Sequence, residues 1–555
     1  MGFRNWAAGN KLPLAVSVVA AITVVAGAGL ALTKPPPLAS FREQACDMPS
    51  PWLERTKRGY FPDRSGQISL LPRYPAYVGT AEGGWSHSGP WGYLQRIPIV
   101  FYGPGVIEPH GDIDRPITMA DIAPTLTGLL QGFFKTDDGE RLDEVVRFDS
   151  ELLSKDKPRL IVVVVWDGGG WNVLERWPNA WPNLKEMMDG GTSYTNATVG
   201  SSPSVTPAVH TTLGTGVFPW VHGITGIPVR DETGKVVDSF LEGESSRFIN
   251  VPTFAERWDE QRRNRALVGM VGYEPWHLGM IGRGAEDPTG DRDVAVWLDT
   301  ETNEWITNPD HYRLPPAFEE QTGLADDIAR LDAFDGEVDD AWGDNKILDD
   351  QARIEETPAF IKYHERVMQE LIEQEGYGAD ATTDLLFTNF KQIDRLGHYF
   401  NMASHEVRAS IKETDRQLGR LLGSLDDVVG EGKWTVVVTA DHGQQPDAEV
   451  VDGYGIDPKE VKRDLDDEFG AITRAVWPTE VFLDETALDR EGVTIHEVAR
   501  FLGDYRLAAN TQRPDMLLTG AGRFGPRDRL FSMAVPARLL PELDCGAGRA
   551  PSAPG

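Results

Sequence analysis

Three apolar runs in this sequence each end in side chains that bind metals. Ile161-Val-Val-Val-Val-Trp166 leads into Asp167. Leu385-Leu-Phe-Thr-Asn-Phe390 leads to Asp394 and His398, in Asp-Arg-Leu-Gly-His. Trp434-Thr-Val-Val-Val-Thr-Ala440 leads into Asp441-His442-Gly443. Runs this apolar and β-branched are the pattern of strands covered on both faces, as in a parallel sheet. Ligands of such sheets gather at the carboxyl ends of the strands. Carboxylates and imidazoles converging there predict a metal site, with enough side chains for more than one ion.

The rest of the chain fits an α/β protein with additions. Its 555 residues suffice for a large core. A formal net charge of −32 argues against a DNA or RNA partner, since most of the surface would repel phosphates. Leu12 to Leu32 carries no charge, and at about 1.5 Å per residue it spans roughly the thickness of a bilayer core. Arg4 and Lys11 precede it and Lys34 follows. This predicts a transmembrane signal-anchor in residues 1–33, with the body of the chain outside the cell membrane. Ala26-Gly-Ala28 leaves a cleaved signal segment, and hence a secreted protein, as the alternative. Two cysteines, Cys46 and Cys545, permit a disulfide in an exported chain.

A Pro-rich linker is expected over 34–58, and a first globular stretch over 59–132. The latter holds the strand-like Arg96-Ile-Pro-Ile-Val-Phe-Tyr102 and a helical pattern from Ile122 to Leu130. Strand–helix alternation starts at Arg159 and runs through 159–245, which predicts an α/β sheet. Residues 246–380 are acidic, without clear strand periodicity, and read as a cap or insertion. Asp335-Gly-Glu-Val-Asp-Asp340 matches no EF-hand loop and reads as a solvated face. The core resumes over 381–545.

A nucleophile is the remaining requirement. Thr206-Pro207 follows a polar turn and opens a helical stretch. Thr is a favoured N-cap and Pro a favoured first helical residue, so the expectation is Thr206 at a helix N-terminus, where anionic oxygens are stabilised.

Together these residues resemble the alkaline phosphatase superfamily, and within it the type I phosphodiesterase / nucleotide pyrophosphatase family. The resemblance is carried by Asp167 after its strand, Thr206 four residues before His210, Thr215-Gly216, Val221-His-Gly-Ile224, Asp394-Arg-Leu-Gly-His398 and Asp441-His442-Gly443. It implies an alkaline-phosphatase-like, mostly parallel sheet flanked by helices. It also implies two Zn²⁺ ions (other divalent metals are possible), held by six protein ligands besides the nucleophile. The family's last ligand is a His beyond Asp-His-Gly, and only His496 follows His442 here, on an ordinary surface-helix pattern. Gly83-Gly-Trp-Ser-His87, the strand from Arg96, Gly103-Pro-Gly105 and Asp121-Ile-Ala-Pro resemble the family's C-terminal end. The expectation is therefore a circularly permuted domain, with His87 as the sixth ligand and the cysteines joining its ends.

By this resemblance Asp394, His398 and His87 would hold one zinc. Asp167, Asp441, His442 and the reacting Thr206 would hold the other. The implied activity is cleavage of phosphodiester or pyrophosphate bonds through a phosphothreonine. A family Asn after the nucleophile helix has no counterpart in His222-Gly-Ile-Thr-Gly-Ile227, so Asn389 and Lys391 are the candidates for phosphate contacts. Val268 to His277 lacks the Lys-x-Arg pair of some monoesterases, which favours a diester. A phosphomonoesterase, an envelope headgroup transferase and a non-catalytic metal-binding protein are the alternatives.

Overall fold

The structure is a computed structural model, and it describes residues 39–79, 86–146, 157–284, 292–299, 301–319, 323–349, 351–448, 450–451, 453–510 and 525–545. The expected transmembrane segment lies outside these residues. Among the described residues no helix is long and apolar enough to cross a membrane.

The three apolar runs form the centre of a ten-stranded sheet. Its order is Glu304–Ile306, Val294–Asp299, Val268–Val271, Asp384–Phe390, Leu160–Trp166, Trp434–Thr439, Arg96–Tyr102, Thr192–Thr198 and Gly111–Ile113, with Ile117–Thr118 also pairing with Thr192–Thr198. The five strands from Val294–Asp299 to Trp434–Thr439 are mutually parallel, whereas Arg96–Tyr102 runs antiparallel to both its neighbours.

Both faces of the sheet's centre are buried, which is why its three central strands show continuous apolar runs. Leu160, Val162, Val164 and Trp166 enter one core with Phe360, Val367, Leu418 and Leu421 from two long helices, Pro358–Glu375 and His405–Leu425. Ile161, Val163 and Val165 enter the other core, with Ile122, Leu126, Val209, Leu213 and Trp258. Each such side chain contributes about 1.5–3 kcal/mol through burial, so the centre of the sheet is a rigid platform.

Two regions differ from the expectations. Residues 39–58 are helical, in Phe41–Cys46 and Ser50–Arg58, rather than an extended linker. Ser40 and Glu43 form a capping box at the first of these helices, a local device that outweighs the Pro-rich flank. Residues 246–380 supply three strands to one side of the sheet, where a cap was expected. These strands have four, six and three residues, too short for periodicity to separate them from buried helix.

A second, wholly antiparallel sheet joins early and late parts of the chain. Ile68–Pro72 pairs with Glu480–Leu483 on one side and Phe531–Pro536 on the other, and Thr473–Trp477 completes it. Beside this sheet Cys46 and Cys545 form a disulfide across 499 residues of sequence, with Cα atoms 5.3 Å apart.

Candidate active site

All seven principal candidates meet at the carboxyl end of the central sheet. Asp167 leaves the Leu160–Trp166 strand, and Asp441 and His442 follow Trp434–Thr439. Asp394 and His398 lie one turn apart on the helix Gln392–Phe400 that follows Asp384–Phe390. His87 arrives from the loop before Arg96–Tyr102. Gly168 lets the strands approach: its φ is +69°, and a Cβ there would lie 2.9 Å from the Asp394 Cα.

Thr206 is the first residue of the helix Thr206–Thr215, with Val205 as the N-cap. Thr206 thus lies at the helix N-terminus, one position inside the cap. Its hydroxyl does not cap the helix, because Oγ1 instead accepts a hydrogen bond from the Lys391 ammonium at 3.0 Å.

Two groups of carboxylates and imidazoles meet at Lys391 through Asp167 and Asp394. In one, Asp394 Oδ1 lies 3.4 Å from His398 Nε2 and 3.6 Å from His87 Nε2. In the other, His442 Nε2 lies 3.3 Å from Asp441 Oδ2 and 3.6 Å from Asp167 Oδ1. Ligands placed tetrahedrally at about 2.0–2.2 Å from a zinc ion are themselves about 3.3–3.6 Å apart, so both groups fit. Asp394 Oδ1, Asp441 Oδ2 and His442 Nε2 are buried without a hydrogen-bond partner, which a cation would satisfy. Asp167, Asp441 and His442 sit within one compact potential metal cluster, and His87, Asp394 and His442 within another.

The electrostatics prepare these groups as ligands. Burial, reinforced by its His442 neighbour, pushes the His87 imidazole well below its usual pKa, and burial brings His442 down to about 3. Both rings are therefore neutral at pH 7. His87 Nδ1 donates to the Ser204 carbonyl at 2.9 Å and His442 Nδ1 to the Gly443 carbonyl at 3.0 Å, leaving each Nε2 lone pair facing the carboxylates. Burial opposes ionisation of Asp394, but His398 and Lys391 outweigh it and hold the carboxyl well below its usual range. Asp167 is pushed well upward by burial and by the Asp441 charge, and Asp441 is raised to about 6 by burial. A cation bound there would offset this crowding of negative charge.

Asn389 and Lys391 face the ligands rather than open space. Asn389 Nδ2 donates to Asp167 Oδ2 at 2.9 Å. Lys391 Nζ donates to Asp167 Oδ1 at 2.9 Å and forms an ion pair with Asp394 Oδ2 at 2.9 Å.

Sequence reasoning did not single out His277. Its Nδ1 meets His210 Nδ1 at 3.0 Å, and His210 Nε2 lies 3.7 Å from Asp441 Oδ2. The pair thus backs a ligand carboxylate. His277 follows a short 268–271 strand and belongs to no recognisable motif, so only its fully buried position reveals it. His222, part of the resemblance, is structural: its Nδ1 accepts from Ile224 N–H and its Nε2 meets Thr212 Oγ1 at 3.1 Å. His496 packs against Phe41 on the helix Ile495–Gly503.

Buried clusters of carboxylates and imidazoles near a helix-borne threonine, on this sheet, define a phosphoesterase hydrolase of the alkaline phosphatase superfamily. More specifically, the chain belongs to the type I phosphodiesterase / nucleotide pyrophosphatase family, whose model matches residues 161–474, more than half of its length. Among curated proteins it is similar to the alkaline phosphatase PafA of Elizabethkingia meningoseptica, at 24% identity over 415 residues, covering 65% of this chain and 74% of that one. It is also similar to a protein named as a calcium-transporting ATPase of Myroides odoratus, at 24% identity over 371 residues, covering 57% and 66%. The crystal structure of wild-type PafA shares its fold, with a TM-score of 0.53 and 23% identity over 62% of this chain and 76% of that chain.

Proposed function

We propose that this protein is an exported, zinc-dependent phosphoesterase that cleaves phosphodiester or pyrophosphate bonds through a phosphothreonine at Thr206. The observation that carries the reading is the position of Thr206 Oγ1. It lies at a helix N-terminus and is joined through Lys391 to Asp167 and Asp394, one carboxylate from each ligand group. In this reading Asp394, His398 and His87 hold one metal ion, and Asp167, Asp441, His442 and Thr206 hold the other. Two bound Zn²⁺ would supply Lewis-acid stabilisation of the attacking and leaving oxygens. The chain supplies the nucleophile and its placement. Thr206 Oγ1 forms a bond to phosphorus while the bond to the leaving oxygen breaks; water then forms the new bond to phosphorus while the bond to Oγ1 breaks. The backbone N–H groups of the helix start favour the anionic phosphoryl oxygens.

The order of the domain is read as permuted, with 59–132 as the family's C-terminal part, 159–245 and 381–545 as the two halves of the core, and 246–380 as an insertion whose three strands extend the central sheet. The reading is supported by the family match, which begins at residue 161, while the Arg96–Tyr102 strand lies in the same sheet, next to Trp434–Thr439. Residues 1–33 are read as the anchor, with cleavage as the alternative.

A specific observation favours a phosphomonoester as the second reading. The relative PafA, which covers 65% of this chain, is named an alkaline phosphatase. Zinc-loaded protein assayed on bis-p-nitrophenyl phosphate and p-nitrophenyl phosphate separates the two. Higher kcat/KM on the diester is expected; the reverse selects the monoester reading, and no turnover of either rejects both.

A further inference from the structure

Lys391 is fixed more tightly than a substrate-binding lysine needs to be. Its side chain is 4% exposed, and its ammonium has three N–H groups. Three acceptors surround it: Asp167 Oδ1 at 2.9 Å, Asp394 Oδ2 at 2.9 Å and Thr206 Oγ1 at 3.0 Å. No N–H is left for a phosphate oxygen unless a buried ion pair opens. Two carboxylates would suffice to neutralise a buried ammonium, so the third contact calls for its own explanation. It falls on the atom whose charge changes most in the proposed reaction.

We infer that Lys391 is a catalytic residue that stabilises negative charge on Thr206 Oγ1. This rests on the reading of Thr206 as the nucleophile and adds the group that keeps it reactive. Asp167 and Asp394 hold the ammonium from two sides, so the third N–H is already oriented and the reaction has no reorganisation to perform there. The same contact serves both half-reactions. Before attack it favours the alkoxide over the hydroxyl. After the Oγ1–phosphorus bond has formed, Oγ1 is the leaving oxygen of the second step, and the N–H stabilises it again as water displaces it. The charge-assisted hydrogen bond is stronger than a neutral one in this buried setting. In the first step the Oγ1–phosphorus bond forms, the bond to the leaving oxygen breaks and the hydroxyl proton passes through solvent to that oxygen. In the second the water oxygen bonds phosphorus, the Oγ1–phosphorus bond breaks and a water proton returns to Oγ1, while Lys391 keeps its own proton throughout.

The test compares the full-length, zinc-loaded protein with Lys391→Met, Lys391→Ala and Thr206→Ala, measuring zinc content, kcat and KM, with ethylammonium added to the alanine variant. Methionine keeps the volume without the charge, and removing the ammonium frees two carboxylates, so zinc content should not fall. The expected result is a drop in kcat of about 10²–10³-fold for Lys391→Met with KM changed less than about threefold, the range for loss of one oriented donor. Ethylammonium should recover part of the Lys391→Ala loss, which a packing defect would not allow. Wild-type kcat in Lys391→Met, a rise confined to KM, or loss of zinc without amine rescue would each overturn the inference. If Thr206→Ala is dead while Lys391→Met turns over normally, only the role of Lys391 falls. If Thr206→Ala is itself active, the nucleophile reading falls first.

Discussion

The two ligand groups are built differently although they share one pocket. Asp167, Asp441 and His442 are wholly buried and come from two adjacent parallel strands at the middle of the sheet. The group of His87, Asp394 and His398 is looser: His398 is 24% exposed, and His87 arrives on a loop beside the antiparallel strand Arg96–Tyr102. The first group is fixed by the packing of the central sheet, the second by a helix and a loop at its rim. Rigid strand ends place the first group, and the partly exposed His398 leaves the second nearer to solvent.

Breaking the buried group should have the larger effect. His442→Ala leaves two buried carboxylates without their imidazole; it is expected to lower zinc content and cut turnover by more than about 10³-fold, without recovery in excess zinc. His398→Ala opens a site that water can complete, so excess zinc should restore much of its activity. Equal, unrecoverable losses in both variants would erase the distinction between the groups. Metal analysis of His87→Ala against His496→Ala sharpens it further. The first should lose zinc and turnover, the second neither, because His496 packs against Phe41 away from the ligands. The opposite pattern would remove His87 from the site and the permuted order with it.

The Cys46–Cys545 disulfide joins early and late parts of the chain that the antiparallel sheet already pairs. Cys46→Ser should lower stability by about 2–5 kcal/mol in denaturant titration and leave zinc affinity nearly unchanged, since Ile68–Pro72 still sits between two strands. The smallest effect lies at Glu480, at the start of a strand of that sheet. It accepts from the Gly66 N–H at 2.6 Å, and burial raises its pKa to about 7. The folded state therefore holds this proton more tightly than the unfolded chain. Stability is greatest below the unfolded pKa near 4.5 and declines as pH rises toward 7. Glu480→Gln keeps an acceptor and removes the charge. It should stabilise the protein by about 1–3 kcal/mol at pH 8 and add nothing at pH 4, as followed by melting temperature.

What the sequence made legible follows the same division. Asp167, Asp441 and His442 could be placed because each ends an uninterrupted apolar run, and such runs arise only where both sheet faces are covered. The place of His87 was legible only through the resemblance of its flanking residues to the family's C-terminal end, not through local chemistry. The contact from Lys391 to Thr206 joins side chains 185 residues apart, and no local pattern encodes it. His277 is equally silent, since a lone imidazole after a four-residue strand looks like any other core residue. The strands within 246–380 stayed hidden because they are short, and the helices of 39–58 because local capping set them.

The central claim is that Thr206 receives the phosphoryl group between the two ligand groups. Its most direct test is to quench zinc-loaded protein in acid during turnover of bis-p-nitrophenyl phosphate and map the modified residue by tandem mass spectrometry. The account predicts a phosphoryl adduct on Thr206. An adduct on any other side chain, or turnover through a burst that leaves Thr206 unmodified, would contradict it.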